Sequence, residues 1–526
     1  MAFTDENTCF LFDDVPDPGG PELQRFIVGE DDAPRTLAGE EAASELGDAF
    51  ARLVLLKGDF PSNAMEVLAA IDAAVPEDDS LRAQRVFLLG EDSKLGVTFD
   101  TESTNSSMRF LVTRGRGPDG PDILISAFHP MGDLVELMAW DLERKGFNYY
   151  RTFRGAGSSW MWAGNSRHAL QPPTRLMGPF ESHPSGAMIM KELRFPWVHW
   201  HSFAANIFPD AFPPGDDRRE HEWFTTKQGA EVCEESVAKP SIRRWVNARF
   251  EAAAGDGGRF ENPAGPMEQL LKSVTVNLIS SKTESRAVRD DRGVDLPQTF
   301  FIDSETLTEV IGLVPPPGFA VSPAFYKAAL QRFGFRLHAD GFEQAGDNHF
   351  AFVVPERAFE DRVVVAKMIE VGLITDRLAA ALLMVDFPNP VFSSRREKLL
   401  SHMPTDAVIT GGSSSFSDDV ANAIVAAAET SSQGSAEREF ADLWAAGDGW
   451  RDRFDALLRA YYAAVTEKLE EQAAYDDYVR LAESRRRVVR KMPIGREFSL
   501  LFSEAAEDPG PLRMTTDGAV VADEGV

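Results

Sequence analysis

The spacing of apolar residues changes period along this chain. Over residues 40–56 (EEAASELGDAFARLVLL) and 62–75 (SNAMEVLAAIDAAV) apolar positions recur three and four apart, which predicts two helices, the second capped by Ser62. From about residue 86 to 162 the period falls to two. VFLL, GVTF, MRFLVTRG, DILISAF, LVELMAW, FNYYRTF and SSWMWA are short runs punctuated by Gly, Pro and Asp, the pattern of an antiparallel meander. Farther on the signals mix. Helices are predicted at 267–272 and at 323–333, the latter capped by Ser322, with strands at 299–302, 335–339 and 349–354. The rest is helical: 358–371 ending at Gly372, 376–385 stopped by DFPNP, 419–430, 436–446 and one long helix over 450–489.

This pattern is that of an α+β protein. It has an antiparallel β meander in the N-terminal half, a mixed middle region and a mostly helical C-terminal third. Length alone suggests roughly two to four domains. Five segments are expected: a helical piece over 1–82, a β-rich domain over 83–255, a mixed region over 266–404, a helical region over 405–505 and an acidic disordered tail over 506–526.

Composition narrows the partners. The net charge of −29 argues against nucleic acid and anionic membranes, which repel it. Two cysteines, Cys9 and Cys233, are too few for a disulfide framework or a thiolate zinc site and suit a reducing compartment. The start, MAFTDENTCFLFDD, is acidic and lacks a long apolar run, so no secretory signal is expected. With no long uncharged apolar stretch, no transmembrane helix is expected either, and the expected compartment is the cytoplasm. The C-terminal helices offer a surface for homo-oligomer assembly. GRGPDG (115–120) has a G-x-G-x-x-G spacing, but a strand follows it, so it reads as a hairpin turn. GGSSSFSD (411–418) lacks a following Lys and reads as a loop. The 467–471 and 485–490 charge runs read as solvated helix faces.

One segment departs from the acidic background. Residues 147–209 carry six cations against two anions, and six of the nine histidines lie between His129 and His221. If the run after Pro196 is a strand, His199 and His201 share a face and converge on one metal. Two imidazoles need a third ligand, for which His183, Glu192, Asp210, His221 and Glu222 are candidates; two His with a carboxylate suit iron. His183 precedes a helix predicted over 187–195, where it would present its ring to a cofactor on that helix's apolar face. As an axial haem ligand it would leave Arg167, Arg175, Lys191 and Arg194 to pair with anionic groups. Trp197 and Trp200 flank His199, and Trp160 and Trp162 share one strand face. Each pair reads as a pocket wall or as core. Histidines packed in the core read equally well, and His183 as a general base needs no cofactor.

The run HPSGAMIMKEL, from His183 to Leu193, resembles a segment of predicted c-type cytochrome-like bacterial proteins. There C-x-x-C-H precedes a pattern close to x-x-G-G-P-I-M-K-E-L; the upstream FNYYR and WMWAGNS are similar in kind. That resemblance implies haem with His183 as ligand. Pro179 and Ser182 stand where the two cysteines would, which rules out thioether attachment and leaves iron or non-covalent haem as the expected cofactor. The functional expectation is a metal- or haem-dependent oxidoreductase, oxygenase-like, acting on a small anionic or aromatic substrate. His183, His199 and His201 would be metal ligands, with Arg167, Arg175, Lys191, Arg194, Trp197 and Trp200 around the cofactor. The alternative is a non-catalytic binding or scaffold protein whose His/Trp segment is packed core.

Overall fold

A computed structural model describes residues 20–90, 108–153, 159–188, 215–254, 256–279, 281, 288–339, 342–346, 352–492 and 503–523. The chain divides into two compact units: residues 1–190 with 197–249 and 496–499, and residues 191–196 with 250–495 and 500–526.

The first unit is built on one sheet. Its strands are β1 (Leu23–Arg25), β2 (Arg35–Thr36), β3 (Gln84–Gly90), β4 (Met108–Arg114), β5 (Ile123–Ala127), β6 (Val135–Asp141), β7 (Gly146–Thr152) and β8 (Trp160–Asn165), in the order β2-β1-β8-β7-β6-β5-β4-β3. From β3 to β8 every neighbour is antiparallel, as the alternating pattern predicts. GRGPDG turns β4 into β5, with Gly115 and Gly120 both at positive φ. β1 pairs in parallel with β8 and makes the sheet mixed; three residues are too few to announce a strand by alternation.

Alternation decides what each face does. Ile123, Ile125, Val135, Leu137, Ala139, Tyr150, Trp160 and Trp162 point to the inner face. There they pack beneath α1 (Gly39–Glu45), α2 (Ala49–Leu53) and α3 (Ala64–Ala74), whose Phe50, Val67 and Ile71 are fully buried. The helical leader is therefore a layer of the β unit: short amphipathic helices gain their stability from the apolar surface they cover.

The single helix expected over 40–56 is broken by tertiary contacts. Gly47 N–H donates to the buried Asp141 Oδ2 at 2.8 Å, and Asp48 caps α2 by accepting from Ala51 N–H at 2.9 Å. The α3 cap moves by one residue from the expected Ser62. Asn63 accepts from Glu66 N–H while the Glu66 carboxylate reaches back to Ser62.

The second unit is mainly helical, with small two- and three-stranded ribbons. Helices Pro323–Phe333, capped by Ser322, Phe359–Glu370 and Asp376–Met384 stand where the pattern put them. Five readings are corrected. The 299–302 strand is replaced by a 3-10 turn, Gln298–Phe300: Phe300, Phe301 and Ile302 are all buried, and a half-exposed strand cannot hide three consecutive side chains. The strand expected over 349–354 runs Val354–Arg357 instead; residues 349–351 lie outside those described. The long C-terminal helix is two, Trp450–Lys468 and Gln472–Arg490.

Its 485–490 charge run is also not a solvated face. Arg485 donates to the carbonyls of Phe300 and Pro388, and Arg486 to that of Val353, all buried. Finally, residues 506–523 are not a disordered tail. They carry a hairpin, Leu512–Met514 with Val520–Ala522, pinned by Asn389 to both the N–H and C=O of Met514 and by Tyr478 O–H to Gly518 C=O. Among the described residues no helix is long and apolar enough to cross a membrane.

Candidate functional site

The outer face of the first unit's sheet collects polar residues at the positions alternation leaves over. Register places Ser126, Glu136 and Arg151 in one row across β5, β6 and β7. Arg109 on β4 pairs with Glu136 (2.5 Å), and the next row carries Tyr149 beside Met138. Burial pushes the Glu136 carboxyl up. The charges of Arg109, Arg151 and His183 outweigh it and hold the carboxyl below its usual range.

His183 faces this cluster from the 166–188 loop. His183 N–H donates to Pro179 C=O, Trp245 Nε1–H to Ser185 C=O at 2.7 Å, and Ser166 Oγ–H to Gly186 C=O at 2.6 Å. Gly186 has φ of 78°, and a Cβ there would sit 2.3 Å from Ser166 O, so only glycine fits. The His183 ring lies 5.3 Å from that of Tyr149, which meets Phe180 edge-on. His183 Nδ1 is 3.0 Å from Ala187 O. A carbonyl only accepts, so Nδ1 carries a proton and donates it, the ring orientation of a histidine that ligates through Nε2.

The residues predicted for the site fare differently. Lys191, Arg194, Trp197, His199, Trp200 and His201 lie outside the described residues, as do the carboxylates Glu192 and Asp210. Ala187 and Met188, the start of the expected 187–195 helix, are not helical: the Ala187 carbonyl accepts from His183 and Tyr149 instead. Arg167 donates to Arg144 C=O and lies over the Trp245 ring. Arg175 is half-buried in the preceding turn, its N–H bonded to Gln171 C=O. Trp160 and Trp162 are core, their indole N–H groups bonded to Pro61 C=O and Asn148 Oδ1. His221 Nδ1 accepts from Trp223 N–H as a helix cap, and Glu222 is exposed.

A second cluster was not anticipated. Among the described residues, His129, Asp216 and Asp217 are the one trio of metal-type ligands within reach of a common ion. The donor set does not fit a metal. His129 Nδ1 accepts from Met131 N–H (3.1 Å), so the neutral ring keeps its proton on Nε2, where it donates to Asp217 at 2.6 Å. Both Asp216 oxygens accept from Arg218. The trio works as a latch between the β5–β6 loop and residues 216–218.

Beneath the sheet lies a buried polar network that also escaped the sequence reading. Asp48 Oδ2 accepts from Tyr150 O–H at 2.5 Å and Asn148 Nδ2–H at 2.8 Å; Asn148 Oδ1 accepts from Trp162. Burial raises the Asp48 carboxyl to about 6. Every partner is internal, so its role is structural. Cys233 is equally withdrawn: burial pushes its thiol up to about 12, far from a nucleophile's range.

Sequence reading named His183 but missed Arg109, Glu136, Tyr149 and Arg151. A signal was present, since Glu136 and Arg151 are the single charges within LVELMAW and FNYYRTF. Only the register shows that the two are neighbours. No family model matches the chain, and no curated protein or solved structure matches it.

Proposed function

We propose that the first unit is a metal- or haem-dependent oxidoreductase acting on a small anionic or aromatic substrate at the outer face of its sheet. His183 Nε2 is one protein ligand, and His199 and His201 are the others. The observation that carries the reading is the hydrogen bond from His183 Nδ1 to Ala187 C=O. With Nδ1–H as donor it fixes the ring plane, as the outer hydrogen-bond partners of ligating histidines do. Bound iron or haem would supply the redox chemistry. The chain's own residues do the rest: Arg109 and Arg151 orient an anionic group beside Glu136. The low cysteine content goes with work in a reducing compartment such as the cytoplasm.

The test is elemental analysis with an absorption spectrum on protein expressed with iron and haem supply. Wild type is expected to carry stoichiometric iron or a Soret band, and His183→Ala to lose it with little change in melting temperature. Metal-free, haem-free wild type overturns the reading.

A second reading, a non-catalytic binding protein, is favoured by the direct Arg109–Glu136 pair, which would serve equally as a structural ion pair. In that case alanine at His199 and His201 lowers the melting temperature and removes no separate spectroscopic or binding property.

A further inference from the structure

We infer that a cleft in the second unit binds a small zwitterionic ligand of amino-acid or short-peptide chemistry. The cleft encloses about 850 Å³, between the helices Phe416–Thr430, Ala436–Trp444 and Trp450–Lys468 and the C-terminal hairpin. That lies within the roughly 300–1,000 Å³ of small-molecule sites.

Its charges sort into two sets. One is satisfied within the chain: Arg395 pairs with Glu439 at 2.7 Å, and Arg513 stands 3.8 Å from Asp386. Asp386 belongs to a rigid floor. It adopts φ of 50°, unusual for a non-glycine residue, and is held there by Asn389 Nδ2–H and Ser393 Oγ–H.

The other set has no charge partner. Arg453, Glu429 and Asp442 form no side-chain ion pair or hydrogen bond among the described residues, and the Arg438 guanidinium donates to the carbonyls of Ser431 and Glu429. Two guanidiniums and two carboxylates, all on exposed residues, thus line the same cleft without a direct ion pair. Arg438 and Asp442, one helical turn apart, share a face. Phe387 and Leu457 are apolar members of the same lining.

This lining is selective by sign. A plain anion meets Glu429 and Asp442 as well as the arginines, and a plain cation meets the reverse. A ligand with both a carboxylate and an ammonium group pairs with all four. Its carboxylate goes to Arg453 and Arg438, its ammonium to Asp442 and Glu429, and apolar side chains to the wall. Capping either end of such a ligand leaves one pair of cleft charges unmatched.

Isothermal titration of the full chain tests this with leucyl-leucine, its N-acetyl form and its C-amide. Saturable binding of the free dipeptide is expected, weakened at least tenfold by either cap. Arg453→Ala should erase the penalty of the C-terminal amide, and Asp442→Asn that of N-acetylation. Both side chains are exposed, so the variants keep the fold, which circular dichroism checks. Absence of saturable binding at millimolar dipeptide overturns the inference. So does equal binding of the capped forms, or persistence of both penalties in the variants.

Discussion

Replacing Tyr150 by Phe removes one atom from the interior of the first unit and makes stability depend on pH in a calculable way. Asp48 is fully buried and titrates at about 6, against about 3.9 in an unfolded chain. Between those values the native state holds a proton that the unfolded state has released, so stability falls as pH rises, by about 1.4 kcal/mol per pH unit and about 3 kcal/mol overall. Above pH 6 the buried carboxylate is charged and relies on three donors: Tyr150 O–H, Asn148 Nδ2–H and Ala51 N–H. A hydrogen bond to a charged group is worth about 1.5–3 kcal/mol, and one between neutral groups about 0.5–1.5 kcal/mol. Tyr150→Phe should therefore cost about 2 kcal/mol at pH 7.5 and about half that at pH 4.5, where native Asp48 is protonated. Urea unfolding at both pH values, followed by the fluorescence of the buried Trp160 and Trp162, measures the difference. Other titrating groups contribute equally to wild type and variant and cancel. An equal cost at the two pH values, or a larger one in acid, would refute the assignment of the raised carboxyl to Asp48.

Two further outcomes test the interior. Arg396 is buried and donates to the carbonyls of Leu271, Val385, Asn389 and Pro390; Arg396→Met leaves these acceptors unmet and should cost about 3–5 kcal/mol in guanidinium unfolding. Cys233, buried with its thiol near 12, should resist alkylation at pH 8 until the chain unfolds. Peptide mapping of labelled protein checks this, and rapid native labelling at Cys233 would contradict it.

The meander was legible because a half-buried antiparallel sheet writes its geometry into the chain as alternation. In LVELMAW and FNYYRTF the alternation has Leu137 and Tyr150 inside and Glu136 and Arg151 outside. Helices with a clear apolar stripe, such as Pro323–Phe333 with its Ser322 cap, were equally plain. What misled the reading was charge. Arg485 and Arg486 look like a solvated face until carbonyls from sequence-distant loops are found around them. The 506–523 segment looks disordered for the same reason, since Asn389 lies more than a hundred residues from the Met514 backbone it holds.

Composition and periodicity by themselves determined the α+β class and the antiparallel meander of the N-terminal half. These depend on local spacing, which a single chain displays. Tertiary structure decided the rest. It broke the 40–56 helix at Gly47 through Asp141, brought Arg109 and Arg151 to one carboxylate, and set the Ala187 carbonyl against His183 Nδ1. Each of these rests on a hydrogen bond or ion pair whose partner is set by how the sheet and its loops fold back, and no local pattern records that partner.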